Sequence, residues 1–120
     1  MPAQLFDVMV RQETGLTVLE LHGQVNREAE PALNDAYDVA AASGSRSLLL
    51  NFAGVDYINS TGIAVIVGLL ARARKDGQTL AVCGLSDHYR TIFEITRLVD
   101  FMRVYPDEQT ALAIGQSAVG

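Results

Sequence analysis

The sequence predicts an α/β fold: one domain spanning residues 1–120, with a mixed β-sheet, an N-terminal hairpin and about four helices in the order ββαβαβαβα. Three observations carry this. Two apolar runs, Leu5 to Val10 and Leu16 to Leu21, flank Gln12-Glu13-Thr14-Gly15, with glycine where a hairpin turn wants it. After them, short apolar runs alternate with segments of helical periodicity, the pattern of parallel strands joined by crossover helices. No repeat, low-complexity tract or linker interrupts the chain. Its 49% apolar and 19% charged residues suit one packed core rather than a disordered segment.

The elements follow in order. Gly23-Gln24-Val25-Asn26 breaks the pattern of the second strand. Pro31 then fits the first turn of a helix, where its missing N–H would have no partner anyway. Leu33, Ala36, Tyr37, Ala40 and Ala41 recur at helical spacing, and the helix stops near Gly44. Ser47 to Phe52 reads as a short strand buried on both faces, because its apolar run hardly alternates. A helix from about Thr61 to Lys75 carries Ile63, Val65, Ile66, Val67, Leu69 and Leu70, which predicts cover on most sides. Arg72, Arg74 and Lys75 in its last turn, with Gly77 beyond, match the helix dipole and a left-handed cap. Thr79 to Cys83 is a strand closed by Gly84. Ser86 and Asp87 offer caps for a helix holding Tyr89, Ile92, Phe93 and Ile95. Phe101 to Tyr105 is a last strand, and Pro106-Asp107-Glu108 opens a final helix through Leu112.

Composition excludes several functions. A net charge of −5 with no compensating basic cluster argues against nucleic acid and against an anionic membrane. Met1-Pro2-Ala3-Gln4 begins no secretory signal, and the uncharged stretch from Tyr57 to Ala71 is shorter than the roughly 20 residues of a spanning helix. The single cysteine, Cys83, excludes an internal disulfide, so a cytoplasmic location is expected, with Cys83 an inert core residue. His22 and His88 have no third ligand at a recognisable spacing, so neither a metal nor another cofactor is expected. Asp56, Asp87 and Asp107 read as turn or cap acids rather than an acid–base pair. Ile58 stands where a hydrolase nucleophile elbow needs glycine, and no Gly-Lys-Ser/Thr forms a phosphate loop; the chain is not expected to be an enzyme.

What remains is Tyr57-Ile58-Asn59-Ser60-Thr61-Gly62-Ile63, where a strand ends and an apolar helix begins. Asn59, Ser60 and Thr61 stand where a helix has unpaired backbone N–H groups, so helix capping is their simplest role. The same helix end carries partial positive charge and favours an anion. A phosphate on an accessible Ser60 would place a dianion where it is stabilised. Thr61 is a second hydroxyl, suited to bonding the backbone. Gly62 permits close packing at the helix start.

These residues resemble the STAS domain (sulphate transporter and anti-sigma factor antagonist). Gly23-Gln24-Val25-Asn26 resembles its Gly-Glu-Leu-Asp turn. Leu50-Asn51-Phe52-Ala53-Gly54-Val55 followed by Ile58-Asn59-Ser60-Thr61-Gly62-Ile63 resembles its strand and its Asp-Ser-Ser/Thr-Gly signature. Gly77 to Gly84 and Phe93-Glu94-Ile95-Thr96-Arg97-Leu98 match its later run, so the similarity covers almost the whole chain.

The resemblance implies a stand-alone bacterial anti-sigma factor antagonist, or anti-anti-sigma factor, acting by partner switching in transcription regulation. It implies that Ser60 is phosphorylated by an anti-sigma factor with serine kinase activity, and that a phosphatase resets it. The unmodified form would bind that partner and release the sigma factor. Asn26, Asn59, Thr61 and Gly62 would form the phosphorylation loop and contact surface, together with exposed parts of the helix that follows.

Asn26 and Asn59 replace family aspartates. A phosphate near −2 at about 6 Å from a carboxylate would be repelled by roughly 1–3 kcal/mol at effective dielectric constants of about 40–80. The amides remove that cost, and Asn59 gains a donor toward phosphate. If a carboxylate orients the seryl hydroxyl, the same change slows phosphorylation. The alternative function is therefore a non-switching STAS scaffold, or an accessory subunit of a larger signalling or transporter assembly.

Overall fold

In the computed structural model, which describes residues 6–119 and their side chains as far as residue 114, the apolar runs form a sheet of five strands. The elements are β1 (Asp7–Glu13), β2 (Leu16–Val25), α1 (Glu30–Ala42), β3 (Ser47–Ile58), α2 (Ser60–Lys75), β4 (Thr79–Cys83), α3 (Asp87–Ile95), β5 (Arg103–Tyr105) and α4 (Glu108–Val119). Short 3₁₀ turns occupy Arg27–Ala29 and Leu98–Asp100. The sheet runs β1-β2-β3-β4-β5, with β1 antiparallel to β2 and every later pair parallel. Because the sheet grows in one direction along the chain, right-handed crossovers put α1, α2 and α3 on one face.

That face holds the main core. Leu19, Leu21 and Val25 from β2 and Leu48, Leu50 and Phe52 from β3 pack with Leu33 and Tyr37 of α1, Ile66 and Leu69 of α2, and Phe93 of α3. Phe52 and Phe93 meet edge to face at 6.0 Å. Tyr37 is fully buried, and its hydroxyl donates to Asp76 at 2.8 Å. Burial first, and then that hydrogen bond, push its phenol up to about 12. The opposite face carries a smaller cluster in which Val18, Leu49 and Cys83 are covered by Ala111 of α4. Beside it Arg11 donates to Glu108 at 2.6 Å and to Glu20 at 3.3 Å, and Asn51 donates to Glu108 at 2.9 Å. The two bonds to Glu108 pin the start of α4 to β1 and β3. Hydrogen bonding from His22 and Arg11 holds the Glu20 carboxyl below the usual carboxylate range. Burial pushes the Cys83 thiol up to about 12, so it stays protonated at neutral pH.

Several boundaries differ from the sequence pattern, each for a tertiary reason. The first strand runs to Glu13 rather than Val10, paired with β2 along its length; Leu5 lies outside the described residues. The break at Gly23 does not end β2. Gly23 adopts φ +97°, and the strand pairs onward as Gly23–Val55, Gln24–Tyr57 and Val25–Ile58 across register shifts. Pairing with this tail carries β3 to Ile58, well past Phe52. The last strand begins only at Arg103, because Leu98–Asp100 forms a 3₁₀ turn after left-handed Arg97. The final helix continues past Leu112 to Val119. Nor is α2 covered on most sides: Ala64, Val67, Gly68 and Ala71 are exposed along one face. The same crossovers that set three helices on one side leave that outer face without a layer above it. No helix among the described residues is long and apolar enough to cross a membrane.

Candidate functional site

The site is built where β2 and β3 end. Because these strands are adjacent and parallel, the turn after Val25 and the turn after Ile58 lie side by side. Asn59 N–H donates to Val25 O at 3.2 Å and ties the turns together. Asn59 is the N-cap of α2, with extended backbone, and its Oδ1 accepts from Gly62 N–H at 2.8 Å. The same oxygen accepts from the Thr61 hydroxyl at 2.7 Å. Thr61 Oγ1 in turn accepts from Arg27 N–H at 3.2 Å. Asn26 caps the neighbouring 3₁₀ turn, its Oδ1 accepting from Glu28 N–H at 2.9 Å.

Gly62 is buried against the end of β2. A Cβ there would stand 2.0 Å from Val25 O and 2.7 Å from its carbonyl carbon. Only glycine lets the helix start sit this close to the neighbouring strand. Ser60 is the first residue of α2 and is exposed, and among the described residues its hydroxyl makes no hydrogen bond. The loop therefore holds two hydroxyls in different states. Thr61 is committed as donor and acceptor; Ser60 is uncommitted.

The structure thus brings together all five residues singled out by sequence: Asn26, Asn59, Ser60, Thr61 and Gly62. It also adds two that sequence reading missed. Arg27 anchors Thr61 through its backbone and, with Thr61 and Ala64, lines a cleft of about 190 Å³ beside the loop. Tyr89, on the helix that Ser86 caps, is half-buried, and its hydroxyl oxygen accepts from Ile58 N–H at 2.9 Å. It fixes the last residue of β3 just before Asn59. Neither contact leaves a local signal, since each joins segments more than thirty residues apart.

A strand-to-helix turn with a capped helix start and a bare serine at its first position sits within a chain whose residues 7–111 match the STAS domain model. The chain belongs to the STAS domain family. A protein of Staphylococcus aureus named anti-sigma-B factor antagonist is 30% identical to this STAS domain over 86 residues, covering 72% of this chain and 80% of that protein. The fold is also that of an anti-sigma factor antagonist from Mycobacterium paratuberculosis, with a TM-score of 0.78 at 20% identity over 93% of this chain and 95% of that one. The phosphorylated form of the Bacillus cell fate determinant SpoIIAA superposes with a TM-score of 0.67 at 15% identity, covering 90% and 99% of the two chains.

Proposed function

We propose that this STAS domain is an anti-sigma factor antagonist, and that phosphorylation of Ser60 switches its binding to an anti-sigma factor with serine kinase activity. The observation that carries the reading is the contrast between the two hydroxyls of the loop. Among the described residues the exposed Ser60 oxygen has no partner, whereas Thr61 would have to give up two hydrogen bonds to react. Modifying Ser60 therefore breaks no internal bond and leaves the fold in place.

The consequences follow from charge. A phosphate on Ser60 sits at the positive end of a helix of 16 residues, where an anion gains about 0.3–1 kcal/mol at an exposed position. The same dianion changes the sign and hydrogen bonding of the exposed strip that Ser60 shares with Thr61, Ala64, Val67 and Gly68. A partner packed on that strip in its unmodified state would lose its fit, which is how a local modification releases a complex. Binding of the unmodified form frees the sigma factor; a phosphatase restores it. The protein's part is to bind and to accept phosphate, with no catalysis of its own.

The scaffold alternative gains nothing from the two asparagines. Asn26 and Asn59 each use Oδ1 as a cap acceptor, as a carboxylate at the same place would. Titration calorimetry against the anti-sigma factor kinase of the same host tests the reading. Wild type and Ser60→Ala bind alike, and Ser60→Asp binds at least about tenfold more weakly. Equal binding by all three proteins would refute the switch and favour a constitutive scaffold.

A further inference from the structure

The end of the domain opposite Ser60 has a second concavity. There α2 ends and the parallel strands β3, β4 and β5 begin. A cleft of about 350 Å³ lies between them, lined by Leu70, Leu80 and Phe101 and by Arg74, Gln78 and Arg103. Its lining exposes more polar than apolar surface, and its volume lies within the range of small-molecule sites.

Three observations define what would fit. Among the described residues neither Arg74 nor Arg103 pairs with an acid; Arg74 instead lies 4.9 Å from the centroid of the half-exposed Phe101 ring. Asp100, also on the lining, is held by Arg97 at 2.7 Å. Among the described residues no donor reaches the buried Gln78 Oε1, a state that a buried acceptor rarely holds without a missing partner. Finally, Arg46, Arg72, Arg74, Lys75, Arg97 and Arg103 gather at this end, out of nine cationic side chains in a chain of net charge −5. Among the described residues only Arg72 and Arg97 of these have acid partners, Asp38 and Asp100.

We propose that this cleft binds a small organic anion, a phosphate monoester or carboxylate on an apolar body, with Arg74 and Arg103 holding the charge. The apolar body lies on Leu70, Leu80 and Phe101, beside Gln78. The carboxyl end of α2 carries partial negative charge and opposes an anion, so the arginines alone supply the attraction. Binding is therefore sensitive both to salt and to each arginine.

Amide chemical shifts of the labelled protein, recorded during titration with phenyl phosphate, benzoate, inorganic phosphate and benzyl alcohol, test this. Saturable shifts are expected at Gln78, Leu80 and Phe101 with phenyl phosphate or benzoate, and which of the two binds more tightly identifies the head group. Inorganic phosphate, lacking the body, and benzyl alcohol, lacking the charge, bind at least about tenfold more weakly. Arg74→Gln and Arg103→Gln each weaken binding about tenfold, while Arg90→Gln, which removes the same charge elsewhere, leaves it unchanged. No saturable response at those amides to either organic anion, or one equally strong in both arginine variants, would overturn the proposal. Equal affinity for inorganic phosphate would overturn the apolar part of it.

Discussion

Gly62 is the residue on which the geometry of the Ser60 loop most depends, because a single methyl group there would enter the Val25 carbonyl. The obstacle is backbone rather than a side chain that could turn away. Gly62→Ala should therefore lower stability by about 2–3 kcal/mol, read as a shift of the urea midpoint at unchanged slope. Asn59→Ala should cost about 1 kcal/mol through the lost cap, whereas Asn59→Asp keeps the cap and separates charge from capping. If Asn59→Asp loses as much stability as Asn59→Ala, the cap does not act as drawn. The cap was legible in the sequence because it acts over a few residues, and Gly62 because glycine at a helix start signals close packing, although Val25 is distant in sequence. Arg27 and Tyr89 were not, since their bonds to Thr61 and Ile58 exist only once distant segments are adjacent.

Among the elements, the two long central strands show how pairing overrides local pattern. Gly23 reads as a pattern break and Asp56 as a turn or cap acid, yet both lie within strands that hold each other through register shifts. The core strands at Ser47 and Thr79 were legible because apolar runs of that length leave few alternatives. The open face of α2 was not, because composition gives the apolar content of a helix without saying how many layers will cover it. The attachment of α4 offers an independent check at this scale. Glu108 accepts from Arg11 and Asn51, and Ala111 covers the buried Cys83 cluster. In native wild type, Cys83 should react with a thiol reagent only after rare opening, both for lack of access and because its thiol is held up at about 12. Glu108→Gln loses the charge of the Arg11 contact and should speed that reaction several-fold without unfolding the protein. An unchanged rate would mean that the apolar contacts alone hold the helix.

At the scale of the whole molecule, two buried acids set its alkaline limit. Unfolded cysteine and tyrosine ionise near pH 9 and pH 10, while Cys83 and Tyr37 in the fold are both raised to about 12. A raised folded value contributes stability that is intact below the unfolded value and lost as pH rises toward the folded one. The urea midpoint should thus begin to fall near pH 9 and fall more steeply above pH 10, up to about 12. Tyr37→Phe should remove the steeper part while leaving the earlier decline; an unaltered slope would show that Tyr37 is not the titrating group. The molecule also divides its work by position. The exposed serine stands at one end of α2 and the cationic cleft at the other, joined by a helix about 24 Å long. The proposed phosphate switch belongs to the first of these ends. Its most direct test is intact mass with site mapping on the protein purified from its native host, beside Ser60→Ala. A single phosphate on Ser60, absent from the variant, is the expected result. No phosphate under resting and stress conditions, or a phosphate on Thr61 that persists in Ser60→Ala, would contradict it.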